Sequence, residues 1–263
     1  MDRHILPVAC LAVAISLLQG CGDGRTLNIV SYNVGTFTKY EENSMQMIAG
    51  MMKEIGADAI SLNELDSCTA RTGAAYQLKS FAGIMGGWEY KFGRAMPYDG
   101  GADGDGIVVP ADSKVVAGRS VGLPKMDGAE PRVMVVMELE DYAIASVHLD
   151  HMSEMAQLAQ VKVINTAMSD MFSDSSKPVF LCGDMNAEPD SPTMKEFAGL
   201  WTVITPEQPT FPSENPDSCI DYILALNNKA KYRVVKAEVL EHFSCGDVTK
   251  ASDHLPVMVE VAL

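Results

Sequence analysis

Short apolar runs alternate with segments of helical periodicity along most of the chain. Apolar and polar residues alternate over residues 27–34, which predicts a first β-strand. Within residues 41–55 the apolar residues recur three or four positions apart, and Gly56 ends the predicted helix. The same periodicity predicts helices over residues 76–85 and 153–171. Further strands are predicted at 59–62, 88–92, 106–109, 133–139, 142–147, 179–181, 218–226 and 256–261.

The order of these elements favours an α/β fold, because strands and helices alternate through most of the sequence. In the middle of the chain several strands follow one another through short turns, so mixed sheets are expected rather than a purely parallel sheet. No internal repeat and no linker divides the sequence. We therefore predict one domain over residues 27–263.

The N-terminus has the layout of an export signal. A short polar start precedes an apolar stretch over residues 5–18, which is too short to span a membrane. The segment Leu18-Gln19-Gly20-Cys21 resembles a bacterial lipobox, in which the cysteine is lipidated after cleavage. We predict a lipoprotein signal peptide at 1–20, a tether at 21–26 and an exported, membrane-anchored protein that is periplasmic or at the cell surface. An ordinary secretory signal is the alternative.

The charge of the chain restricts its partners. The sequence has 20 Lys plus Arg and 35 Asp plus Glu, a formal net charge of −15, with 47% hydrophobic residues. That hydrophobic content is enough for a normal core. The acidic balance argues against binding nucleic acid by bulk electrostatics, which needs a basic surface. A nuclease whose metal ions supply positive charge locally stays possible.

Four cysteines remain after the predicted cleavage and lipidation, at positions 68, 182, 219 and 245. An oxidising compartment permits disulfides, and four cysteines allow three pairings, which the sequence leaves open. No C-x-x-C spacing occurs, so a zinc ribbon is excluded.

Acids, amides and imidazoles recur within or close to the short apolar runs. A buried carboxylate must find a partner, so a set distributed over the whole chain is difficult to explain by structure alone. Hard oxygen ligands together with a His–Asp pair indicate Mg²⁺ or a similar ion and acid–base chemistry. The residues are Asn33, Glu64, His148, Asp184, Asn186, Asp221, Asp253 and His254.

Two other motifs offer competing interpretations. Residues 99–106 (DGGADGDG) look like a calcium loop, but their spacing fails the EF-hand pattern, and a glycine-rich turn before a strand is expected instead. Residues 146–151 come within one residue of the zinc motif of metallo-β-lactamase-fold hydrolases. Ser146 replaces the first ligand of that motif, and the later motifs stay unexplained.

Taken in order, the motifs SYNV (31–34), LNELD (62–66), SVHLD (146–150), LCGDMN (181–186), CIDYIL (219–224) and SDHLPV (252–257) resemble the endonuclease/exonuclease/phosphatase superfamily. The resemblance covers the chain from about residue 27 to its end. It implies the deoxyribonuclease-I-like fold, a four-layer α/β sandwich of two packed mixed β-sheets with helices on the outer faces.

The resemblance also implies a metal site and a water-activating group. Glu64 corresponds to the main metal-binding carboxylate, with Asn33 and Asp253 beside it. The ion implied is Mg²⁺ or Mn²⁺. Asp184 corresponds to the residue that orients or deprotonates the attacking water.

The remaining motif residues correspond to groups that face the phosphate. Asn186 matches an amide that contacts the phosphate, and His254 matches an imidazole that faces it. Asp221 matches the carboxylate that orients that imidazole. His148 matches a second phosphate-facing position. This division of labour implies direct attack by water without a covalent intermediate.

The sequence as a whole predicts a metal-dependent phosphoesterase that attacks a phosphodiester or phosphomonoester in line with water. Arg71 and Arg132 are candidates for binding the substrate phosphate. Nucleic acid, phospholipid and small phosphate esters all remain open as substrates, and a monomer is expected. Residues 218–222 lack the inositol 5-phosphatase signature, so that branch is disfavoured. A non-catalytic binding lipoprotein on the same scaffold is the alternative function.

The lipobox resemblance generates a prediction about the anchor. Acyl chains hold a protein on a membrane through buried methylenes, at about 0.8 kcal/mol each. Cys21→Ala should therefore leave the membrane fraction and lose the lipid in an intact-mass measurement, whereas Cys68→Ala should remain membrane-bound. A wild-type protein that fractionates as soluble and unmodified would contradict the anchor.

Overall fold

A computed structural model describes residues 25–263, so the predicted signal peptide and Cys21 lie outside the described residues. The helices are α1 (Met45–Glu54), α2 (Gln77–Ile84), α3 (Glu154–Phe172), α4 (Pro192–Phe197) and α5 (Val248–Ala251). The strands are β1 (Thr26–Asn33), β2 (Ala59–Ser67), β3 (Glu89–Tyr98), β4 (Gly101–Val109), β5 (Val115–Leu123), β6 (Arg132–Leu139), β7 (Ala143–His148), β8 (Val179–Asp184), β9 (Trp201–Val203), β10 (Asp221–Leu226), β11 (Arg233–Val239) and β12 (Val257–Ala262).

The strands form two mixed six-stranded sheets. The first has the order β11-β12-β1-β2-β4-β3, and the second has the order β5-β6-β7-β8-β10-β9. Within each sheet one central pair is parallel, β1 with β2 and β7 with β8. The other neighbours pair antiparallel, as the strand-rich middle of the chain predicts.

The core has three apolar layers, which explains why the central strands are apolar on both faces. On β1, Ile29 packs into a layer that also contains Val135 and Phe180 of the second sheet. The next residue, Val30, faces α1 and α2 on the opposite side. A third layer lies between the second sheet and helices α3 and α4. The result is the four-layer sandwich that the resemblance implies.

Some elements differ from the sequence prediction. The glycine-rich segment predicted as a turn is mostly strand β4, where Gly104 lies so close to the backbone carbonyl of Gly93 that a side chain would clash. Strand β2 continues past residue 62 to Ser67. Strands β5 and β11 lie at sheet edges and are largely exposed, so they lack the apolar alternation that would reveal them.

The state of the cysteines and the lengths of the helices bear on the predicted export. Cys68, Cys182, Cys219 and Cys245 are all free thiols in the structure. Among residues 25–263, no helix is both long enough and apolar enough to cross a membrane.

The strand directions bring the predicted site residues to one end of the sandwich. Asn33 and Asp184 lie at the carboxyl ends of β1 and β8, and His148 lies opposite Asp184 in the register of β7. Asp221 begins the antiparallel strand β10 and also pairs with Asp184. The turn that contains His254 leads into β12, which runs antiparallel to β1. Both sheets therefore deliver polar side chains to the same edge.

Gly183 is required for this convergence. Its φ is +152°, and a Cβ there would clash with the carbonyl oxygen of Val147 on β7. Gly183→Ala should lower the free energy of unfolding by at least about 3 kcal/mol, measured by urea denaturation. Gly199→Ala is the control, since its nearest heavy atom would lie 3.6 Å away. An unchanged midpoint for Gly183→Ala would contradict the close packing of β7 on β8.

Candidate active site

The edge where the two sheets meet forms a cavity of about 590 Å³. The structure brings all ten predicted site residues to this cavity or directly behind it. Asn33 and Asp221 lie behind it, bonded to residues of the cavity wall. The others line it: Glu64, Arg71, Arg132, His148, Asp184, Asn186, Asp253 and His254.

The Asp184 carboxylate lies at the centre of the cluster and is 2% exposed. Its Oδ2 accepts a hydrogen bond from Asn33 Nδ2 at 3.1 Å. The same oxygen lies 3.4 Å from His148 Nε2 and 3.6 Å from His254 Nε2. Its Oδ1 accepts from the backbone N–H of Asn186 at 2.9 Å. A single carboxylate is thus held between two imidazoles and an amide.

His254 is fixed from behind by Asp221. The ring Nδ1 donates to Asp221 Oδ2 at 2.9 Å, and the Thr210 hydroxyl donates to the same oxygen at 2.6 Å. The Phe211 ring packs against the imidazole with centroids 4.8 Å apart. Burial lowers the pKa of His254, but Asp221 and Asp184 outweigh it and raise the pKa to about 10. The imidazolium therefore persists at neutral pH, with Nε2 turned toward Asp184.

The second imidazole differs in charge. Burial, followed by the nearby Arg132 and His254, holds the pKa of His148 well below its ordinary value. His148 is therefore neutral, and its contact with Asp184 is not an ion pair. Burial and the Asp221 charge raise the pKa of Asp184 to about 7, although His254 opposes the shift. A carboxylate with such a pKa is suited to accept a proton near neutrality.

A strand irregularity presents Glu64 to the cavity. The register of β2 against β4 shifts between Leu62 and Leu65, and Glu64 has φ +57°. The bulge turns Glu64 toward Asn33, whose Nδ2 donates to Glu64 Oε1 at 3.0 Å. Bulges of this kind commonly redirect a side chain next to an active site. This explains how a residue inside a buried strand reaches the cavity.

Asn63 ties the bulge to the second sheet. Its Nδ2 donates to Asp105 Oδ1 and to the carbonyl of Val147, both at 2.9 Å. Its Oδ1 accepts from the backbone N–H of Asp184 at 3.2 Å. The side chain next to Glu64 therefore also fixes the strand end that carries Asp184.

The donor set at Glu64 fits a hard divalent ion. Glu64 is partly exposed to the cavity and Asp253 lines the same wall. The Asn33 amide oxygen lies nearby and accepts from the Gly35 N–H at 3.1 Å. Carboxylate and amide oxygens are the ligands that Mg²⁺ and Mn²⁺ prefer. The Lys39 ammonium lies 2.6 Å from Asp253, so a cation is already favoured there.

A second cluster is less suited to a metal. Ligand atoms of Asp184, Asp221 and His254 lie within 4.8 Å of one another. The protonated imidazole already occupies the position between the two carboxylates, so it neutralises the charge that an ion would need.

The two candidate arginines are held by acids. Arg71 donates to both oxygens of Asp66 at 2.7 Å and to Asp103 at 3.2 Å. Its guanidinium lies 4.3 Å above the Tyr98 ring centroid. These contacts fix its position in the cavity wall.

Arg132 is more deeply placed, with 6% of its side chain exposed. Its Nη2 lies 3.1 Å from Glu130 Oε1 and donates to His151 Nδ1 at 3.3 Å. Its Nε–H is buried without a hydrogen-bond partner in the described structure.

Sequence reasoning missed several cavity residues or their neighbours. Asp103 and Asp105 alternate in the glycine-rich segment, and that period of two was a signal for one strand face. Burial raises the pKa of each to about 7, with Glu130 adding to the shift at Asp103. Asn63 and His151 lie in the quoted segments 62–66 and 146–151 but had no role assigned, and no local signal marked Lys39, Tyr98 or Glu130.

Comparison with known proteins concerns the family and the fold of the chain. The sequence pattern of the Endonuclease/Exonuclease/phosphatase family matches residues 30–254. A mannosyl-6-phosphatase of Bacteroides thetaiotaomicron has a similar fold with TM-score 0.75 and 18% identity, covering 90% of this chain and 100% of that chain. The human Nocturnin catalytic domain with bound sulfate has TM-score 0.70 and 19% identity, covering 90% and 93%.

A third similar structure is ANGEL2, a 2′,3′-cyclic phosphatase, with TM-score 0.68 and 16% identity, covering 90% of this chain and 95% of that chain. At these identities the likeness concerns the fold. A search of curated proteins gives no match.

The ion pair behind His254 can be tested by pH titration. His254 should titrate near pH 10 by NMR, and Asp221→Asn should lower its pKa by about 1 to 3, since the opposite charge is lost. The folded pKa of His254 lies above its ordinary value of 6.5. The stabilisation that the pair gives to the fold is therefore fully present below pH 6.5 and is lost as the pH rises through about 10. Asp174→Asn, on an exposed residue, is the control. A His254 pKa unaffected by Asp221→Asn would contradict the pairing.

Proposed function

Because the chain belongs to the endonuclease/exonuclease/phosphatase family, we propose that it is a metal-dependent phosphoesterase that hydrolyses its substrate by in-line attack of water. The observation that carries the proposal is the buried Asp184 carboxylate, held between His148 and His254 at the cavity. Two of the proteins with a similar fold are phosphatases, which supports the proposal.

The side chains divide the chemistry among them. Asp184 orients the attacking water and accepts its proton, for which a pKa of about 7 is well suited. The His254 imidazolium donates to a phosphate oxygen as negative charge builds in the transition state. Asp221 keeps that imidazole charged and correctly turned. Neutral His148 and the Asn186 amide complete the polar wall around the phosphate.

Glu64, with Asn33 and Asp253, would hold the divalent ion. When bound, the ion supplies positive charge that neutralises the phosphate ester, which is needed because the chain itself carries a net charge of −15. Lys39 must release Asp253 or share it when the ion is present, since its ammonium lies against that carboxylate. The same oxygen donors set the preference for Mg²⁺ or Mn²⁺.

The proposed lipid anchor and the cavity would lie at opposite ends of β1. The tether joins the domain just before Thr26, whereas Asn33 reaches the cavity after 8 residues of strand. At a rise of about 3.3 Å per residue, this separates the two by roughly 23 Å. We therefore infer that an anchored protein presents its cavity to the aqueous phase, away from its own membrane.

A pair of variants tests the proposal. Glu64→Gln keeps the size of the side chain but removes its charge, so its Mn²⁺ affinity by calorimetry should fall at least about tenfold. Turnover of p-nitrophenyl phosphate should fall and recover partly at high metal. Asp184→Asn should bind metal nearly as wild type does, yet lose about 10²–10⁴-fold in kcat.

The control is Glu89→Gln, on an exposed residue of β3, which should match wild type in both measurements. Circular dichroism establishes that each variant is folded. Unchanged metal affinity in Glu64→Gln would place the ion elsewhere. Full activity of the wild-type protein after removal of metal by EDTA would contradict metal dependence.

A further inference from the structure

The lysine and arginine side chains of the cavity are each neutralised by a nearby carboxylate. Three lysine or arginine side chains line it, and each is already paired with at least one carboxylate. A second phosphate on the substrate would therefore have to break an existing ion pair or lie beside an acid. The pairs are Lys39 with Asp253, Arg71 with Asp66 and Asp103, and Arg132 with Glu130.

Two acids and an aromatic ring form what we call the cavity rim: Tyr98, Asp103 and Glu130. The Asp103 and Glu130 side chains are 18% and 33% exposed, so their free oxygens can meet a ligand. The Glu130 carboxylate repels phosphate groups, and the oxygens of both acids can accept hydrogen bonds from hydroxyls. Tyr98 is 39% exposed and held by Arg71, which leaves a flat apolar surface beside these acceptors.

Arg132 connects the rim to the cavity wall that contains the imidazoles. Its Nη2 lies 3.1 Å from Glu130 on the rim, and its side chain lines the same cavity as His148 and His254. Its buried Nε–H lacks a partner in the described structure, although buried donors are nearly always satisfied. Arg132 is therefore engaged at Nη2 and has no acceptor at Nε among the described residues.

We propose that the cavity rim binds the neutral, hydroxyl-rich part of the substrate, so that the substrate is a polyol carrying a single phosphate, such as a sugar phosphate. This inference rests on the proposed phosphoesterase function. One phosphate lies at the His254 imidazolium, and the hydroxyls of the polyol donate to Asp103 and Glu130. The ring of a sugar packs on Tyr98.

The size and charge of the site agree with a small ligand. A cavity of about 590 Å³ lies within the usual range of about 300–1,000 Å³ for small-molecule pockets. A nucleic acid would bring several phosphates to a rim with two carboxylates, in a chain whose net charge is −15. A bisphosphate would place its second phosphate against the same carboxylates.

The test compares phosphate esters of different charge, of which two differ by a single phosphate group. Wild-type protein with Mg²⁺ is assayed on glucose 6-phosphate, glucose 1,6-bisphosphate, a DNA oligonucleotide and p-nitrophenyl phosphate. We expect kcat/KM for the monophosphate to exceed that for the bisphosphate by about 10²-fold, the effect of placing like charges together. The oligonucleotide should be hydrolysed no better than the bisphosphate.

Glu130→Gln tests whether the rim causes the selectivity. The ratio of kcat/KM between monophosphate and bisphosphate should fall about tenfold, because one repelling charge is removed while the size is kept. Using the ratio within one variant cancels any general loss caused by a displaced Arg132. Glu140→Gln, an exposed acid paired with Lys114 outside the cavity, should keep the wild-type ratio.

The outcomes separate this inference from the proposed function. Hydrolysis of p-nitrophenyl phosphate without a preference for the sugar monophosphate would overturn the inference and leave a phosphoesterase. A preference for the bisphosphate or the oligonucleotide, or a ratio unchanged in Glu130→Gln, would also overturn it. Failure to hydrolyse any ester in the presence of metal would overturn the proposed function, and the inference with it.

Discussion

The buried carboxylate of Asp184 is the constraint on which the site depends. A charge buried to 2% exposure is costly unless it is paired and hydrogen-bonded, and Asp184 finds its partners on three separate segments. Asn33 comes from the first sheet, His148 from the second, and His254 from the turn before β12. These contacts exist only if the two sheets pack with their strand ends in register, so the fold and the site stabilise one another.

Neighbouring charges then give similar groups different tasks. The two imidazoles touch the same carboxylate oxygen, but only His254 has an acid behind it. It is therefore a cation, whereas His148 next to Arg132 is neutral. The bulge in β2 adds Glu64 as a separate carboxylate at the cavity. A metal-binding side, a proton-accepting centre and a phosphate-facing imidazolium thus lie within one cavity.

Much of the fold and of the candidate site could be predicted from the sequence, for a physical reason. Strands β7 and β8 are buried on both faces, so they are nearly continuous apolar runs, and the polar residues at their ends stand out. The order of the motifs supplied the family and the expected roles. The sequence could not predict β5 or β11, whose exposed faces carry no pattern. Nor could it predict that Asn63 contacts Asp105, or that Arg132 pairs with Glu130 at the rim, because side-chain pairing depends on packing across strands and turns.

The central claim is that Asp184 acts on water, which attacks the phosphorus directly. The stereochemical course of the reaction tests this claim most directly, with a phosphorothioate ester made chiral by oxygen isotopes and hydrolysed in isotopically labelled water. A single in-line displacement by water predicts inversion of configuration at phosphorus. Retention of configuration would require two displacements through a covalent phosphoenzyme, and would contradict the role assigned to Asp184.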